Sequence, residues 1–507
     1  MVKHHRIYVL QLRKGDPEQC FKDSHDHLPP VMYYYDSGTR KPKPNIRRLL
    51  FLFSFASLAF LILSRLLFCS SPTSPCPLLY SFGIEEGSQM LKNRGVPCSS
   101  RANDTICCDR TAFRTDICFM RGDIRSHASS NSFLLLANAR TNLSVEEKIR
   151  PYTRKWEANV MSTIDELTLR TIHLNESVNH HCDVHHDVPA VVFSTGGYTG
   201  NVYHEFNDGI IPLYITSHHF NKKVVFVILE YHDWWVTKYS DVVSRLSAYP
   251  PIDFSSDRRT HCFTEVVVGL RIHDELTVNA SRMANNKTIR DFRKMLDEAY
   301  RGRIRYIERV EERRRLSPKQ SIATNTNQPS LVIVSRRGSR SIENEEDLVA
   351  LAEKVGFHVR VLRPDRTTEL CKIYRALNYS DAMIGVHGAA MTHFLFMRPG
   401  KVFIQVVPLG TDWAAETYYG KPAAKMGLWY VGYKILPRES SLYREYPQED
   451  PILVDPESVA KKGWEVTKKV YLDRQNVRLD LARFGKRLVR AHRYLVSRRK
   501  RPKWQKM

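Results

Sequence analysis

The stretch SDAMIGVHGAAMTHFLFMRPG, residues 380–400, decides how the C-terminal half of this chain folds. An apolar run ends at Gly385, Val386, His387 and Gly388, and small and apolar residues follow. Glycines on both sides of a histidine, between a predicted strand and a predicted helix, indicate a turn where a ligand meets the backbone. The alternative to ligand binding is a structural role, in which the histidine forms its hydrogen bonds with the backbone beneath a tight turn.

Short apolar runs alternate with amphipathic segments throughout the region after residue 330. The predicted strands cover residues 331–334, 359–362, 382–386, 401–407 and 429–435. The predicted helices cover residues 344–355 and 368–377, a segment after residue 388, and residues 414–426. This alternation is typical of a parallel, doubly wound α/β sheet, whose ligands bind outside the carboxyl ends of the strands. The turn at His387 follows the third strand and is therefore a candidate binding site.

A second turn of this sheet supplies positive charge. SRRGSRS, residues 335–341, follows the first strand and begins with Ser335, Arg336 and Arg337. Guanidinium groups match the oxygens of a diphosphate, although an exposed basic loop is a common alternative. The two turns together favour a nucleotide-diphosphate ligand. The sequence has neither dinucleotide-binding nor Walker A glycine spacing, and it has no Asp-x-Asp that would clamp a metal-bound sugar nucleotide.

A nucleotide-diphosphate fold in a chain with the membrane anchor and sequons described below indicates sugar transfer, so the other half of the chain must bind the acceptor. The strongest candidate for that acceptor site is TGGYTGNVYHEFNDGIIPLY, residues 195–214. His204 and Asp208 are four residues apart, so on a helix they share a face and the carboxylate can orient the imidazole. A histidine held in this way suits a general base that deprotonates a sugar hydroxyl. An ordinary helix start with an acidic first turn is the alternative.

The sequence HHCDVHHD, residues 180–187, has the composition of a metal cluster. Its spacing fits no standard zinc pattern, and Cys182 is better explained as half of a disulfide if the compartment is oxidising. The spacing therefore predicts no metal site.

Residues 49–68, LLFLFSFASLAFLILSRLLF, are long and apolar enough to span a bilayer. Basic residues precede this segment, which places the N-terminus in the cytosol and the remainder of the chain in a lumen. Six N-glycosylation sequons follow it, at Asn103, Asn142, Asn175, Asn279, Asn286 and Asn378. Eight of the ten cysteines lie clearly beyond it, and we expect disulfides among them: Cys76, Cys98, Cys107, Cys108, Cys118, Cys182, Cys262 and Cys371.

The 507 residues carry a net charge of +23 and divide into seven predicted segments. These are a cytosolic tail (1–48), a transmembrane anchor (49–68), a stem (69–97), an acceptor-side domain (98–316), a linker (317–330), a nucleotide-sugar domain (331–470) and a basic C-terminal tail (471–507). No acidic residue follows Asp480. Such a tail could bind nucleic acid, acidic polysaccharide or anionic lipid, or it could be a solvated basic helix.

Five motifs resemble plant glycosyltransferase family 61 and occur in the order found in that family. They are MRGDIR (120–125), GGYTGNVYHEFND (196–208), SRRGSRSIENEEDL (335–348), GVHGAAMTH (385–393) and PLGTDWAAETYYG (408–420). The resemblance runs from about residue 98 to residue 471. It implies a type II Golgi membrane protein with two Rossmann-like α/β domains of the glycosyltransferase B type. It also implies inverting transfer without metal or other cofactor.

The resemblance also implies roles for individual residues. Arg336, Arg337 and His387 would contact UDP in a site that includes Ser335, Gly385 and Gly388, and Glu416 would hold the ribose. The His204 region would face the acceptor, with His204 or Asp208 as the base in a single displacement.

The expected activity is transfer of arabinofuranose from a UDP-pentose to xylan in an α-1,3 linkage. β-1,2-Xylosyl transfer to xylan or to an N-glycan core is the alternative within the family. A catalytically inactive, basic polysaccharide-binding protein is the alternative outside enzymes, and the glycine spacing disfavours a dehydrogenase. The Golgi membrane is an expected partner, and nucleic acid is not.

Overall fold

The computed structural model describes residue 98 and residues 104–137, 145–173, 181–315, 328–365 and 367–500. The predicted cytosolic tail, anchor and stem and most of the linker lie outside the described residues, as do Cys76 and the sequons at Asn103, Asn142 and Asn175. None of the helices within these ranges has the length and apolarity required to cross a bilayer. The elements described below all lie within residues 102–507, which belong to one compact unit.

Ten strands form a mixed sheet in the N-terminal half. They are β1 Thr105–Asp109, β2 Ile117–His127, β3 Ser132–Ala137, β4 Glu146–Ile149, β5 Leu167–His173, β6 Val184–His185, β7 Ala190–Ser194, β8 Val225–Leu229, β9 Ile252–Asp253 and β10 His261–Val268. The main order is β4-β5-β3-β2-β10-β7-β8-β9, with β1 paired to β2 and β6 paired to β10. Strands β10, β7, β8 and β9 run parallel, whereas β2 runs antiparallel to both of its neighbours β3 and β10.

Five strands form a second sheet that is parallel throughout. They are β11 Ser330–Val334, β12 His358–Leu362, β13 Ala382–Val386, β14 Val402–Val407 and β15 Trp429–Lys434. Each predicted strand of this half is confirmed to within one residue at either end. The order β12-β11-β13-β14-β15 places the topological switch point between β11 and β13. The two turns singled out in the sequence follow these two strands.

The helices cover the sheets and carry the site residues. They are α1 Ala158–Met161, α2 Val202–His204, α3 Ile211–Ser217, α4 Asp233–Leu246, α5 Ile289–Arg315, α6 Glu345–Val355, α7 Leu370–Asn378, α8 Asp412–Ala415, α9 Lys421–Lys425, α10 Pro451–Val454, α11 Pro456–Ala460, α12 Trp464–Thr467 and α13 Leu481–Lys500. π-Helical turns of six and five residues join α2 to α3 (Glu205–Ile210) and α8 to α9 (Glu416–Gly420). A third, of five residues, follows α12 (Lys468–Leu472).

The segment after His387 differs from its prediction as an α-helix. Residues Ala389–Phe396 form a 3₁₀ helix, and all of its residues from Met391 onward are buried. Because it is enclosed on nearly all sides, tertiary packing sets its geometry more strongly than helix propensity does.

Helix α5 connects the two halves of the molecule. Its buried Arg293 donates hydrogen bonds to the carbonyl oxygens of Met397 (3.0 Å) and Phe396 (3.2 Å) and to Oδ1 of Asn378 (2.6 Å). Phe206, two residues from His204, packs edge-on against Phe396 at 5.7 Å between ring centroids. The helical segment that carries His204 is therefore packed directly on the 3₁₀ helix that follows His387.

The predicted disulfides are present among the described cysteines, with one exception. Disulfides join Cys108 to Cys118 and Cys182 to Cys262, and Cys107 is also disulfide-bonded. The expectation of a disulfide is wrong for Cys371, which is a buried free thiol on the inner face of α7.

Candidate active site

His204 and Asp208 form a buried dyad, as the spacing predicts. His204 is the last residue of α2, and Asp208 lies in the π-helical turn that follows. His204 Nδ1 is in hydrogen-bond contact with Asp208 Oδ2, and both residues are 2% exposed. π-Helical turns within helices occur often at functional sites, and this one sets the offset between the two side chains.

Arg154, which lies in a loop of the N-terminal half, contacts both members of the dyad. Its Nε donates to Asp208 Oδ2 at 2.9 Å, its Nη1 donates to Glu157 Oε1 at 2.8 Å, and its Nη2 lies 3.0 Å from His204 Nδ1. The guanidinium is fully buried. The sequence contains no signal for this role, because Arg154 is a single arginine in a loop fifty positions before His204.

The charges around His204 and Asp208 affect the pKa of both residues and which ring nitrogen of His204 carries a proton. Burial opposes ionisation of Asp208, but the charges of Arg154 and His204 outweigh it and lower the pKa of the carboxyl. Burial and the Arg154 charge lower the pKa of His204 below 6.5, so its imidazole is neutral at neutral pH. Two groups meet Nδ1: the Asp208 carboxylate can only accept from it, and Arg154 Nη2 can only donate to it. With the carboxylate as the hydrogen-bond partner, Nδ1 carries the proton and the lone pair lies on Nε2. That Nε2 is buried and has no hydrogen-bond partner within the described part of the chain.

A glycine-rich loop covers the imidazole. The Tyr198 ring stacks on His204 with centroids 4.3 Å apart, and its hydroxyl donates to Glu157 Oε2 at 2.6 Å. Gly197 and Gly200 adopt φ values of +61° and +100°, which are unfavourable for residues other than glycine. The loop therefore depends on these glycines to bring Tyr198 over the dyad.

Glu205 is a second buried carboxyl beside His204. The N–H of Gly200 donates to its Oε1 at 2.7 Å, and the indole N–H of Trp235 donates to its Oε2. Burial raises its pKa to about 7 despite these two donors. Glu205 was not among the predicted site residues, although it lies between His204 and Asp208 in the sequence.

Aromatic rings connect the dyad to the C-terminal sheet. The Tyr203 ring, adjacent to His204 in sequence, lies 5.2 Å from the ring of Tyr418 and 6.0 Å from that of Tyr419. Tyr419 in turn lies 5.5 Å from the imidazole of His387. The two regions predicted separately from the sequence therefore adjoin one another.

A chain of side-chain hydrogen bonds holds His387 at the end of β13. Its imidazole is fully buried, and Gln405 Nε2 on the neighbouring strand β14 donates to Nδ1 at 2.9 Å. The Gln405 carbonyl oxygen accepts from the Tyr430 hydroxyl at 2.8 Å. Because Nδ1 accepts, Nε2 carries the hydrogen and is a donor suited to a phosphate or sugar oxygen.

Gly388 provides the space into which the arginines of the first turn extend. It has φ +149°, and a Cβ at this position would stand 2.6 Å from Arg336 Nη1. Arg340 is 4% exposed, and its Nη1 donates to the His387 carbonyl oxygen at 3.4 Å. Its Nε is buried without a hydrogen-bond partner among the described residues. Arg337 is exposed.

The family model for Glycosyltransferase 61 matches residues 203–404, which include the dyad and both turns of the C-terminal sheet. A xylan glycosyltransferase of Arabidopsis thaliana (MUCI21) is 55% identical over 460 residues, covering 89% of this chain and 92% of the relative. The chain belongs to glycosyltransferase family 61.

Other members of the family align over slightly less of the chain. An alpha-1,3-arabinosyltransferase of Oryza sativa subsp. japonica (XAT3) is 35% identical over 407 residues, covering 80% of this chain and 68% of the relative. A beta-1,2-xylosyltransferase of the same rice (XYXT1) is 36% identical over 400 residues, covering 76% and 83% respectively. The protein is therefore a glycosyltransferase.

The remaining residues predicted for the glycosyltransferase site lie around the same turns. The Ser335 N–H donates to the Leu362 carbonyl at 2.9 Å, and Gly385 is the fourth residue of β13. Glu416 is exposed at the start of a π-helical turn. Burial, followed by the charge of Glu416, raises the pKa of Tyr430, whose hydroxyl donates to Gln405. Glu416 is thus close to the hydrogen-bonded network of His387.

The histidine-rich sequence around Cys182 lies apart from the site residues described above. Cys182 is bonded to Cys262, which confirms its prediction as half of a disulfide. Ligand atoms of Cys182, His185 and Cys262 lie close enough together to hold a metal ion. A disulfide offers no thiolates, however, and thiolate is the form of cysteine that binds metal.

Proposed function

We propose that this protein transfers a pentose from a UDP-sugar to xylan by a single, inverting displacement. The observation that carries the proposal is the continuous packing from the His204–Asp208 dyad, through Tyr203 and Tyr419, to His387 at the switch point of a parallel sheet. A base and an anion-binding turn are the two parts that such a displacement needs. The names of the relatives support xylan as the acceptor, since the 55% identical protein is a xylan glycosyltransferase.

His204 acts as the general base in this proposal. Its Nε2 takes the proton from a xylose hydroxyl while that oxygen attacks the anomeric carbon of the donor sugar. Asp208 stabilises the imidazolium that forms, and Arg154 keeps Asp208 ionised. Because Nε2 is buried beneath Tyr198, acceptor binding requires the loop around Gly197 and Gly200 to move aside.

Positive charge from the C-terminal sheet stabilises UDP as the anomeric C–O bond breaks. Arg336 and Arg340 meet the diphosphate oxygens at the Gly388 turn, and the Nε2–H of His387 donates to the diphosphate or the sugar. Arg337 contributes less than its sequence prediction implied, because it is exposed to solvent that screens its charge. Glu416 holds the ribose. No metal or cofactor is required, since the arginines neutralise the leaving group.

We also propose the cellular setting that the sequence predicts. Residues 49–68 anchor the protein in the Golgi membrane as a type II protein, and the described residues lie in the lumen. The disulfides at Cys108 and Cys182 support an oxidising compartment. The two sheets correspond to the two Rossmann-like domains of a glycosyltransferase B fold, and the parallel order of the second sheet supports this assignment for residues 331–470.

Sequence identity alone does not decide which donor sugar the protein uses. An arabinosyltransferase and a xylosyltransferase are 35% and 36% identical to this chain. We take α-1,3-arabinofuranosyl transfer as the specific activity, and β-1,2-xylosyl transfer as its alternative.

The test incubates the full-length, detergent-solubilised protein with xylan oligomers and either UDP-arabinofuranose or UDP-xylose, followed by NMR of the product linkage. An α-1,3-arabinofuranosyl product with inverted configuration is expected, and His204→Ala is the control for background transfer. A β-1,2-xylosyl product would replace the donor assignment. Binding of UDP without turnover on any donor would favour the inactive polysaccharide-binding alternative.

A further inference from the structure

The C-terminal helix α13 presents a basic face away from the core. Its buried residues Phe484, Leu488, Ala491 and Leu495 pack against the C-terminal sheet and its helices. Its twenty residues include eight lysines and arginines and no acid. The helix is therefore held by an apolar stripe, while the charge is left on its outer side.

An open groove of about 550 Å³ lies between this helix and the start of β15. It is lined by Gly427, Leu428, Trp429, Arg490 and Tyr494. The rings of Trp429 and Tyr494 are 4.5 Å apart, and both residues are half-buried. The groove thus has an aromatic floor that is open to solvent on one side.

Three arginines surround this aromatic floor. The Arg490 guanidinium lies 5.5 Å from the centre of the Trp429 ring, and that of Arg498 lies 5.5 Å from the Tyr494 ring. Arg290 reaches the groove from α5, since its Nη2 stands 2.5 Å from where a Cβ on Gly427 would lie. Gly427 has φ +80° and leaves room for that guanidinium.

These three arginines have no carboxylate partner among the described residues, in contrast to their neighbours. Arg483 pairs with Glu439, and Arg499 shares Asp381 with Lys401. The nearby acids are thus already occupied by other cations. A groove with three uncompensated guanidinium groups and two aromatic rings matches a ligand that combines a carboxylate with an apolar face.

We propose that this groove is a second carbohydrate site, which binds a uronate-bearing segment of the acceptor polysaccharide outside the catalytic centre. One pyranose ring lies against Trp429 and Tyr494, and the carboxylate of the uronosyl residue is held by Arg490 with Arg498 or Arg290. The inference rests on the proposed action on xylan for the identity of the polysaccharide. A planar, forked guanidinium suits a carboxylate better than an ammonium does, which agrees with the presence of arginines at these positions.

An open groove whose rings are half-buried favours a carbohydrate over a lipid surface. Proteins that insert into the membrane interface present protruding apolar side chains. The large apolar residues that are exposed in the described chain, such as Phe113, Tyr306 and Trp413, are not among the groove residues.

The test measures retention of the full-length protein by glucuronate-bearing xylan and by neutral xylan in affinity electrophoresis. The groove variant is the double substitution Arg490→Gln and Arg498→Gln, which keeps much of each side-chain stem. The control is Arg487→Gln with Arg493→Gln, which removes the same charge from exposed positions of the same helix. We expect the groove variant to lose about tenfold in affinity for glucuronate-bearing xylan, the loss typical of a charge-assisted hydrogen bond, and the control to lose little.

Three results would overturn the inference. Wild-type protein could bind neutral and glucuronate-bearing xylan equally, the groove and control variants could lose affinity equally, or only vesicles containing phosphatidylserine could show the groove-dependent binding. Turnover on short neutral xylan oligomers should be the same in all variants. Absence of turnover with selective retention intact would contradict the proposed function and leave the groove assignment standing.

Discussion

Arg154 holds Asp208 and approaches His204 with a single guanidinium: its Nε donates to Asp208 Oδ2 at 2.9 Å while its Nη2 lies 3.0 Å from His204 Nδ1. A histidine–carboxylate pair alone would raise the pKa of the imidazole. Here the buried positive charge of Arg154 and burial itself act in the opposite direction. The dyad therefore keeps an oriented imidazole that stays neutral at pH values below its usual pKa, and a general base must be neutral to accept a proton.

The first prediction concerns the pH dependence of turnover. A base must be neutral to act, and the pKa of His204 is lowered, so kcat should fall only below pH 6.5. Arg154→Gln removes the neighbouring charge and should move this acid limb to higher pH. The measurement is kcat against pH for wild type and variant, on protein shown to be folded by circular dichroism.

Glu205 is the necessary control for this profile, because its carboxyl titrates at about pH 7. An acid limb near pH 7 that disappears in Glu205→Gln belongs to that residue. A limb above pH 6.5 that persists in Glu205→Gln would contradict the lowered pKa of His204.

The C-terminal sheet was predictable because its three central strands, β11, β13 and β14, are buried on both faces. Runs such as AMIGV and VFIQVV are buried at every position, so they stand out as short apolar segments between amphipathic helices. The N-terminal sheet shows this pattern in only some of its strands, namely β3, β7 and β8. It contains two-residue strands, β6 and β9, and its antiparallel and parallel pairings join residues that are far apart in the chain.

The site was predictable only where its residues are neighbours in sequence. His204 and Asp208 are four residues apart on a helix, and His387 lies between glycines at the end of a strand. Arg154 reaches the dyad from a loop through tertiary folding, which local spacing cannot reveal. Arg340 could have been found, because it belongs to the same SRRGSRS stretch, but its burial depends on a backbone φ of +59° that the sequence does not specify.

The second prediction distinguishes the arginines of that stretch. Arg340 is buried at the His387 carbonyl, so Arg340→Ala should weaken UDP binding by about 1.5–3 kcal/mol, as for hydrogen bonds to a charged group. Arg337→Ala should cost less than about 1 kcal/mol, because exposed ion pairs contribute little. Calorimetric titration of the folded variants with UDP measures both. Equal losses in the two variants would return Arg337 to the centre of the diphosphate site.

The third prediction concerns glycosylation. Asn378 is 5% exposed, and its Oδ1 accepts hydrogen bonds from Arg293 (2.6 Å) and Arg398 (2.9 Å). A glycan on its amide would disrupt this buried cluster, so we expect Asn378 to be unmodified and the exposed Asn286 to carry a glycan. Peptide mass spectrometry of protein isolated from plant microsomes distinguishes the two sites. A fully glycosylated Asn378 in active protein would refute the described packing.

The fourth prediction concerns metal. If arginines stabilise the leaving UDP, turnover should survive treatment with EDTA, with Arg336→Ala losing activity whether or not Mn²⁺ is added. Initial rates before and after chelation measure this. Activity that is lost on chelation and restored by Mn²⁺ would contradict the arginine-based mechanism and direct attention to a metal at the diphosphate.

The last prediction separates the two members of the dyad. His204→Ala removes the group whose Nε2 accepts the proton, and loss of a general base typically costs ~10²–10⁴-fold in rate. UDP affinity should remain nearly unchanged, because the diphosphate contacts come from the C-terminal sheet. Asp208→Asn should lower kcat less than His204→Ala if the carboxylate only orients and stabilises the imidazole. Single-turnover rates, with UDP affinity as the folding control, test this order. Near-normal turnover in His204→Ala together with loss of turnover in Asp208→Asn would exchange the two roles, since Asp208 would then have to accept the proton itself.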